Sequence, residues 1–103
     1  MTIKTRFAPS PTGFLHLGHA YAAWIAYKAA ENVGGQCLLR IENIDSARSS
    51  IIFENAIYED LSWLGIKWAS PVYRQSDHMH LYEIALQKLR ARGMIYPCYR
   101  KKM

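Results

Sequence analysis

Residues 6–19 read Arg6-Phe-Ala-Pro-Ser-Pro-Thr-Gly-Phe-Leu-His-Leu-Gly-His19. The stretch begins as a strand end, passes through a loop carrying Pro9 and Pro11, and closes on a His-x-Gly-His box that opens an apolar helix. Proline lacks an N–H and fixes φ, so the loop is pre-shaped and not helical. The free N–H groups and positive dipole end of the helix that follows attract phosphate oxygens. Gly18 has no side chain, which lets the base or sugar of a ligand come close. His16 and His19 are three apart, share a helix face and can meet phosphate together. Two histidines at this spacing are, taken alone, more often a surface or core pair. The two prolines and the glycine that precede them in this order are what packing alone explains poorly.

Outward from this stretch, strand and helix patterns alternate. Residues 3–8 read as a short strand. Residues 18–33 read as a helix apolar on most faces and so expected to be well buried, ended by Gly34 and Gly35. Residues 36–41 form a second predicted strand. A helix over 50–64 follows from the recurrence of Phe53, Ile57, Leu61 and Leu64, with Gly65 as its stop. Residues 66–68 and 73–76 read as short strands. Asp77 is the expected N-cap of a last helix reaching Arg92, packed through Leu81, Ala85 and Leu89. Alternation of this kind implies an α/β fold of parallel strands with crossover helices. In such sheets ligands bind beyond the carboxyl ends of the strands. The His box and the loop at residues 40–48 both follow strand ends, which puts them on one edge.

A chain of 103 residues suffices for one small domain, which buries roughly two-thirds of its unfolded surface. Half the residues are hydrophobic and 13% aromatic, unlike a disordered chain. Thirteen basic and eight acidic residues give a net charge of +5. That balance favours phosphate-bearing partners. The excess lies late, at Arg90, Arg92, Arg100, Lys101 and Lys102, and a basic chain end is most often a solvated tail. Cys37 and Cys98 do not make a disulfide framework, and Cys37, inside an apolar run, reads as a core residue. His78 and His80 are two apart and point apart on a helix, as surface histidines do. The apolar stretch at 20–30 is too short for a bilayer and contains Lys28. With no signal segment at the start, a cytoplasmic protein without membrane contact is expected.

The second constellation is Leu39-Arg-Ile-Glu-Asn-Ile-Asp-Ser-Ala-Arg48. Glu42 closes an apolar strand, where a carboxylate faces either a ligand ammonium or a neighbouring arginine. This segment resembles the Arg-Ile-Glu-Asp-x-Asp-x-x-Arg stretch of glutamyl-tRNA synthetases, with Asn43 in place of the first Asp. Residues 6–19 resemble the signature of class I aminoacyl-tRNA synthetases in its glutamyl form. Trp63-Leu-Gly-Ile-Lys-Trp68, Tyr73-Arg-Gln-Ser76, Tyr82-x-x-Ala85-Leu86 and Gly93-x-x-Tyr96-Pro-Cys98 fit the same family in order. Ile44, where discriminating members often carry Thr, resembles the glutamyl-queuosine tRNA(Asp) synthetase branch.

The resemblance implies the N-terminal half of a Rossmann-like nucleotide-binding domain over residues 1–103. The second half, with its Lys-Met-Ser-Lys-Ser-like loop, has no match here. It implies ATP, accompanied by Mg2+, on Pro9, Ser10, Pro11, Thr12, Gly13, His16, Gly18 and His19, with His16 and His19 catalytic. It implies glutamate on Arg6, Ala8, Ser10 and Glu42. The implied reaction forms glutamyl-adenylate and passes glutamate to tRNA, at the queuosine of tRNA(Asp) or at a 3′ end such as that of tRNA(Glu). Zinc is not expected, because Cys98 is the lone member of the family's Cys-x-Cys pair and a structural zinc takes about four ligands. Two other readings stand beside this one: a non-catalytic truncated piece that binds nucleotide or a partner chain, and an unrelated nucleotidyl-transferase-like α/β domain. An exposed sheet edge would also favour self-association.

Overall fold

The computed structural model describes residues 2–100. Lys101, Lys102 and Met103, read above as a basic tail, lie outside the described residues. Three parallel strands form one sheet in the order β1-β2-β3: β1 Lys4–Phe7, β2 Gln36–Ile41 and β3 Ala69–Arg74. Helix α1, Leu17–Asn32, connects the first pair and α2, Ile51–Trp63, the second. A 3-10 turn at Gln75–His78 leads into α3, Met79–Ala91.

Alternation along β2 divides the sheet into two faces. Cys37, Leu39 and Ile41 are buried on one face, and Leu39 and Ile41 meet Ala23 of α1 and Ile57 and Leu61 of α2, with Ile66 closing the end. Both crossover helices therefore cover the same face. The other face carries Arg6, Leu38 and Arg40, with Arg6 opposite Leu38 in register. Thr5 Oγ1 donates to the Ala26 carbonyl at 2.6 Å and ties β1 to α1. The α1–β2 connection is tight: a Cβ at Gly35 would run into the Ile3 carbonyl, which accepts from the Gln36 N–H at 2.9 Å.

Several expectations need correction. α1 is not well buried: Ala23 and Ala30 are, whereas Tyr21, Trp24 and Ile25 are exposed, because the sheet covers one side of the helix only. α3 buries no residue, and Leu81 and Leu89, expected to pack, are exposed. The predicted strands at 66–68 and 73–76 are replaced by a single β3. Ile66 is a buried plug before it, and Gln75 and Ser76 belong to the 3-10 turn. Register moves from Leu38↔Ala69 to Arg40↔Tyr73, so β3 bulges around Pro71, which has no N–H to pair. His78, not Asp77, precedes α3, because the Asp77 carboxylate takes an arginine instead. Among the described residues, no helix is long and apolar enough to cross a membrane.

Candidate active site

Helix α1 starts on its own histidines. His16 is the N-cap, and its Nδ1 accepts from the Gly18 N–H at 3.1 Å. Three residues on, His19 Nδ1 accepts from the His16 N–H at 3.0 Å. The arrangement is a reciprocal capping box made from two imidazoles. Their rings stack with centroids 3.8 Å apart and planes 29° apart. An imidazole accepting at Nδ1 carries its proton on Nε2, so both Nε2–H groups remain as donors for a ligand. Burial first, and the electrostatic influence of the neighbouring His16 ring second, hold His19 below its ordinary pKa, which favours a neutral donor near pH 7. A Cβ at Gly18 would stand 2.9 Å from His16 Cε1. Gly18 thus makes room for the His16 ring before it makes room for any ligand. Two of the amides expected to face phosphate, those of His16 and Gly18, are already spent on this box.

The loop before the helix is held by its prolines. Pro9 and Pro11 are buried, while Ser10 and Thr12 are exposed. The Pro9 carbonyl accepts from the Glu42 N–H at 2.9 Å, and the Pro11 carbonyl accepts from the Ser50 N–H at 3.0 Å. The Thr12 N–H closes a short turn on the Ser10 carbonyl at 2.9 Å. This places the Glu42 strand end and the start of α2 directly beside residues 9–13, on one sheet edge.

Arg6 opens onto a cleft of about 300 Å³ on the uncovered face, which it lines with Leu38, Leu39, Arg40, Pro71 and Tyr73. Glu42 Oε1 lies 3.7 Å from Arg40 Nε, an ion pair too long for a hydrogen bond. Arg40 Nε is buried without a hydrogen-bond partner among the described residues. Its guanidinium lies 5.4 Å from the centroid of the Tyr73 ring. Tyr73 in turn stacks on His78 at 4.1 Å and holds Tyr82 Oη at 2.8 Å. Arg40 thus links two of the four expected glutamate residues, sharing the cleft with Arg6 and a charge pair with Glu42. Ala8, half-buried, and Ser10, exposed, lie just beyond the end of β1.

Arg40 and Tyr73 were not among the expected site residues. The period of two sets Arg40 on the same face of β2 as Leu38, and the pairing of Leu38 with Arg6 then puts Arg40 beside Arg6. A second cluster, also unforeseen, lies on the far side of residue 43. Glu54 is 5% exposed on α2, yet receives Arg74 Nε at 2.9 Å, Arg74 Nη2 at 3.0 Å and the Tyr58 hydroxyl at 2.6 Å. Burial pushes the Glu54 carboxyl up, but the bonds from Arg74 and Tyr58 outweigh it and hold the group below its ordinary pKa. Burial and the carboxylate together push the Tyr58 phenol up. Among the described residues, no group of three or more His, Cys, Asp or Glu side chains is placed to hold a metal ion.

Residues 2–103 match the family model described as the catalytic domain of class I tRNA synthetases, E and Q type. The chain belongs to that family. A glutamyl-Q tRNA(Asp) synthetase of Rhodobacter capsulatus is 56% identical over 94 residues, which cover 91% of this chain and 34% of that protein. Glutamate–tRNA ligase 1 of Neorickettsia sennetsu is 52% identical over 95 residues, or 92% of this chain and 22% of the ligase. A crystal structure of a glutamate tRNA ligase from Elizabethkingia meningosepticum, in complex with its amino acid, superposes with a TM-score of 0.80 at 34% identity. That match covers 88% of this chain and 20% of the ligase. The three parallel strands and their helices are thus a Rossmann-like piece of a class I synthetase catalytic domain. The chain spans about a third or less of the length of the relatives it matches.

Proposed function

We propose that this synthetase chain supplies the nucleotide-facing and glutamate-facing residues of a site that activates glutamate with ATP. Residues 1–103 would form the first part of the catalytic domain. Pro9, Ser10, Pro11, Thr12, Gly13, His16, Gly18 and His19 bind ATP. Arg6, Ala8, Ser10 and Glu42 bind glutamate: the Arg6 fork pairs the side-chain carboxylate and Glu42 takes the α-ammonium. The α-carboxylate oxygen of glutamate attacks the α-phosphorus, the bond to the bridging oxygen breaks, and pyrophosphate leaves. His16 and His19 donate from Nε2 to the non-bridging oxygens as charge builds there. No proton changes hands; positioning and electrostatics do the work. Mg2+ neutralises triphosphate charge when bound. Residues 9–19 contain no carboxylate, so the phosphates themselves would be its main ligands. Glutamate then passes to RNA, at the queuosine of tRNA(Asp) or at a tRNA 3′ end. The identities to both a glutamyl-Q synthetase and a glutamate–tRNA ligase support this choice of acceptors.

The observation that carries the reading is the pair of stacked histidines with both Nδ1 atoms fixed on backbone N–H groups. Its test is ATP binding by calorimetry with His16→Asn. Asparagine is a strong N-cap and keeps the acceptor, but it has no donor at the Nε2 position. Affinity should fall with the fold intact; an unchanged affinity would remove the histidines from the site. A chain that binds ATP but forms no adenylate with glutamate would support the second reading, a nucleotide-binding piece without catalysis. We also propose that the uncovered sheet edge draws a second copy to it.

A further inference from the structure

The two loops assigned to ligands are tied into a closed ring. The Pro9 carbonyl accepts from the Glu42 N–H at 2.9 Å. Asn43, the next residue, holds Ser76 twice: its Oδ1 accepts from the Ser76 N–H and its Nδ2 donates to Ser76 Oγ, both at 2.9 Å. Ser76 shares its 3-10 turn with Asp77, whose Oδ1 accepts from Arg74 Nη1 at 3.0 Å. Arg74 also donates to both oxygens of Glu54. The Glu54 N–H bonds the Ser50 carbonyl at 3.0 Å, and the Ser50 N–H returns to the Pro11 carbonyl at 3.0 Å. A cavity of about 230 Å³ is lined by members of this ring, among them Pro11, Asn43, Ser50, Glu54 and Arg74.

We infer that Arg74 is a positioning residue, the strut that fixes the loop at residues 9–12 relative to the loop that carries Glu42. It acts through Glu54 and α2 on one side, and through Asp77 and the Asn43–Ser76 clasp on the other. A guanidinium presents a planar fork of donors and holds two carboxylates at once; a lysine ammonium is a point charge that does not reproduce that geometry. Glu54 is too buried to turn to water when its partner goes. The inference rests on the proposed function for what the two loops hold, while the mechanical coupling stands on the hydrogen bonds alone.

Amide hydrogen exchange followed by NMR tests it, in the chain and in Arg74→Lys and Asn43→Leu. The Glu42 and Ser50 amides should exchange about tenfold faster in both variants, while those of Leu39 and Leu61 stay within about twofold. Asn43→Asp, whose two oxygens accept from both Ser76 donors, should restore slow exchange. Equal acceleration at all four amides, or none at Glu42 and Ser50, overturns the inference. If Arg74→Lys fails to fold, the Asn43 pair of variants decides on its own. ATP affinity measured alongside should fall in Arg74→Lys and Asn43→Leu. Absence of ATP binding by the unsubstituted chain would count against the proposed function and leave the exchange result to judge the strut.

Discussion

At Gly18 and His16 a gain and a cost nearly cancel in stability but not in ligand affinity. An alanine at position 18 gains roughly 1 kcal/mol of helix propensity over glycine. Its Cβ would also press on the His16 ring, 2.9 Å from Cε1, and displacing that ring loses an N-cap of about 1 kcal/mol. Gly18→Ala should therefore leave the thermal midpoint nearly unchanged while ATP affinity, measured by calorimetry, drops. An unchanged affinity would separate the His16 ring from nucleotide binding. Arg6 and Glu42 are told apart by ligand chemistry. In a full-length synthetase carrying these residues, Arg6→Ala should weaken glutamate and glutarate alike, because both present a terminal carboxylate. Glu42→Gln should weaken glutamate by roughly 2–5 kcal/mol and leave glutarate, which has no ammonium, nearly untouched. Equal losses for both ligands in Glu42→Gln would deny Glu42 the ammonium.

The contacts between α2 and β3 predict a pH dependence whose sign follows from Glu54. Its carboxyl is held below the ordinary value of 4.5, so the folded state prefers the ionised form more than the unfolded chain does. That contribution is fully present above about pH 4.5 and is lost as the pH falls through the lower folded-state value. Urea unfolding of the chain and of Glu54→Gln should differ most near neutral pH, and the gap should shrink below about pH 4. Arg74 is one-third exposed, so the neutral-pH gap should be about 1–3 kcal/mol, less than for a fully buried pair. The sequence foretold the elements that glycine and periodicity mark: β2 spans 36–41 as expected, and α2 lies within the expected 50–64. It split β3 into strands at 66–68 and 73–76, because Pro71 and the bulge beside it break the alternation that announces a strand. Asp77 looked like a cap because nothing local discloses an arginine that folds back three residues to take it. The His box was legible because its parts are contiguous. The Arg40–Tyr73 contact and the Arg74–Glu54 pair join residues 33 and 20 positions apart; the first needs the β2–β3 register and the second the packing of α2 beside β3, and neither is local in sequence.

The molecule as a whole is a sheet with helices on one face. β1 and β3 are its edges, and the Arg6–Leu38–Arg40 face carries no crossover helix among the described residues. Parallel sheets are almost always covered on both faces, since each face of such a sheet is built to be buried. Here the helices too show apolar side chains outward, with Tyr21 and Ile25 on α1 and Leu81 and Ile84 on α3 half or more exposed, or close to it. The expectation that α1 and α3 would be buried failed for this reason: periodicity shows that a face is apolar, but not which polypeptide covers it. Free edges and apolar faces of this size recruit other chains, while a net charge of +5 opposes close approach of two copies. Salt screens that repulsion within about 8 Å at physiological ionic strength and leaves apolar attraction in place. Self-association of the 103-residue chain should therefore strengthen as salt is raised, with light scattering showing a dimer or larger species at moderate salt and a shift toward monomer at low salt. A chain that stays monomeric across the whole salt range would show that these edges and faces do not pair copies of it, and the proposal of a second copy on the sheet edge would fall.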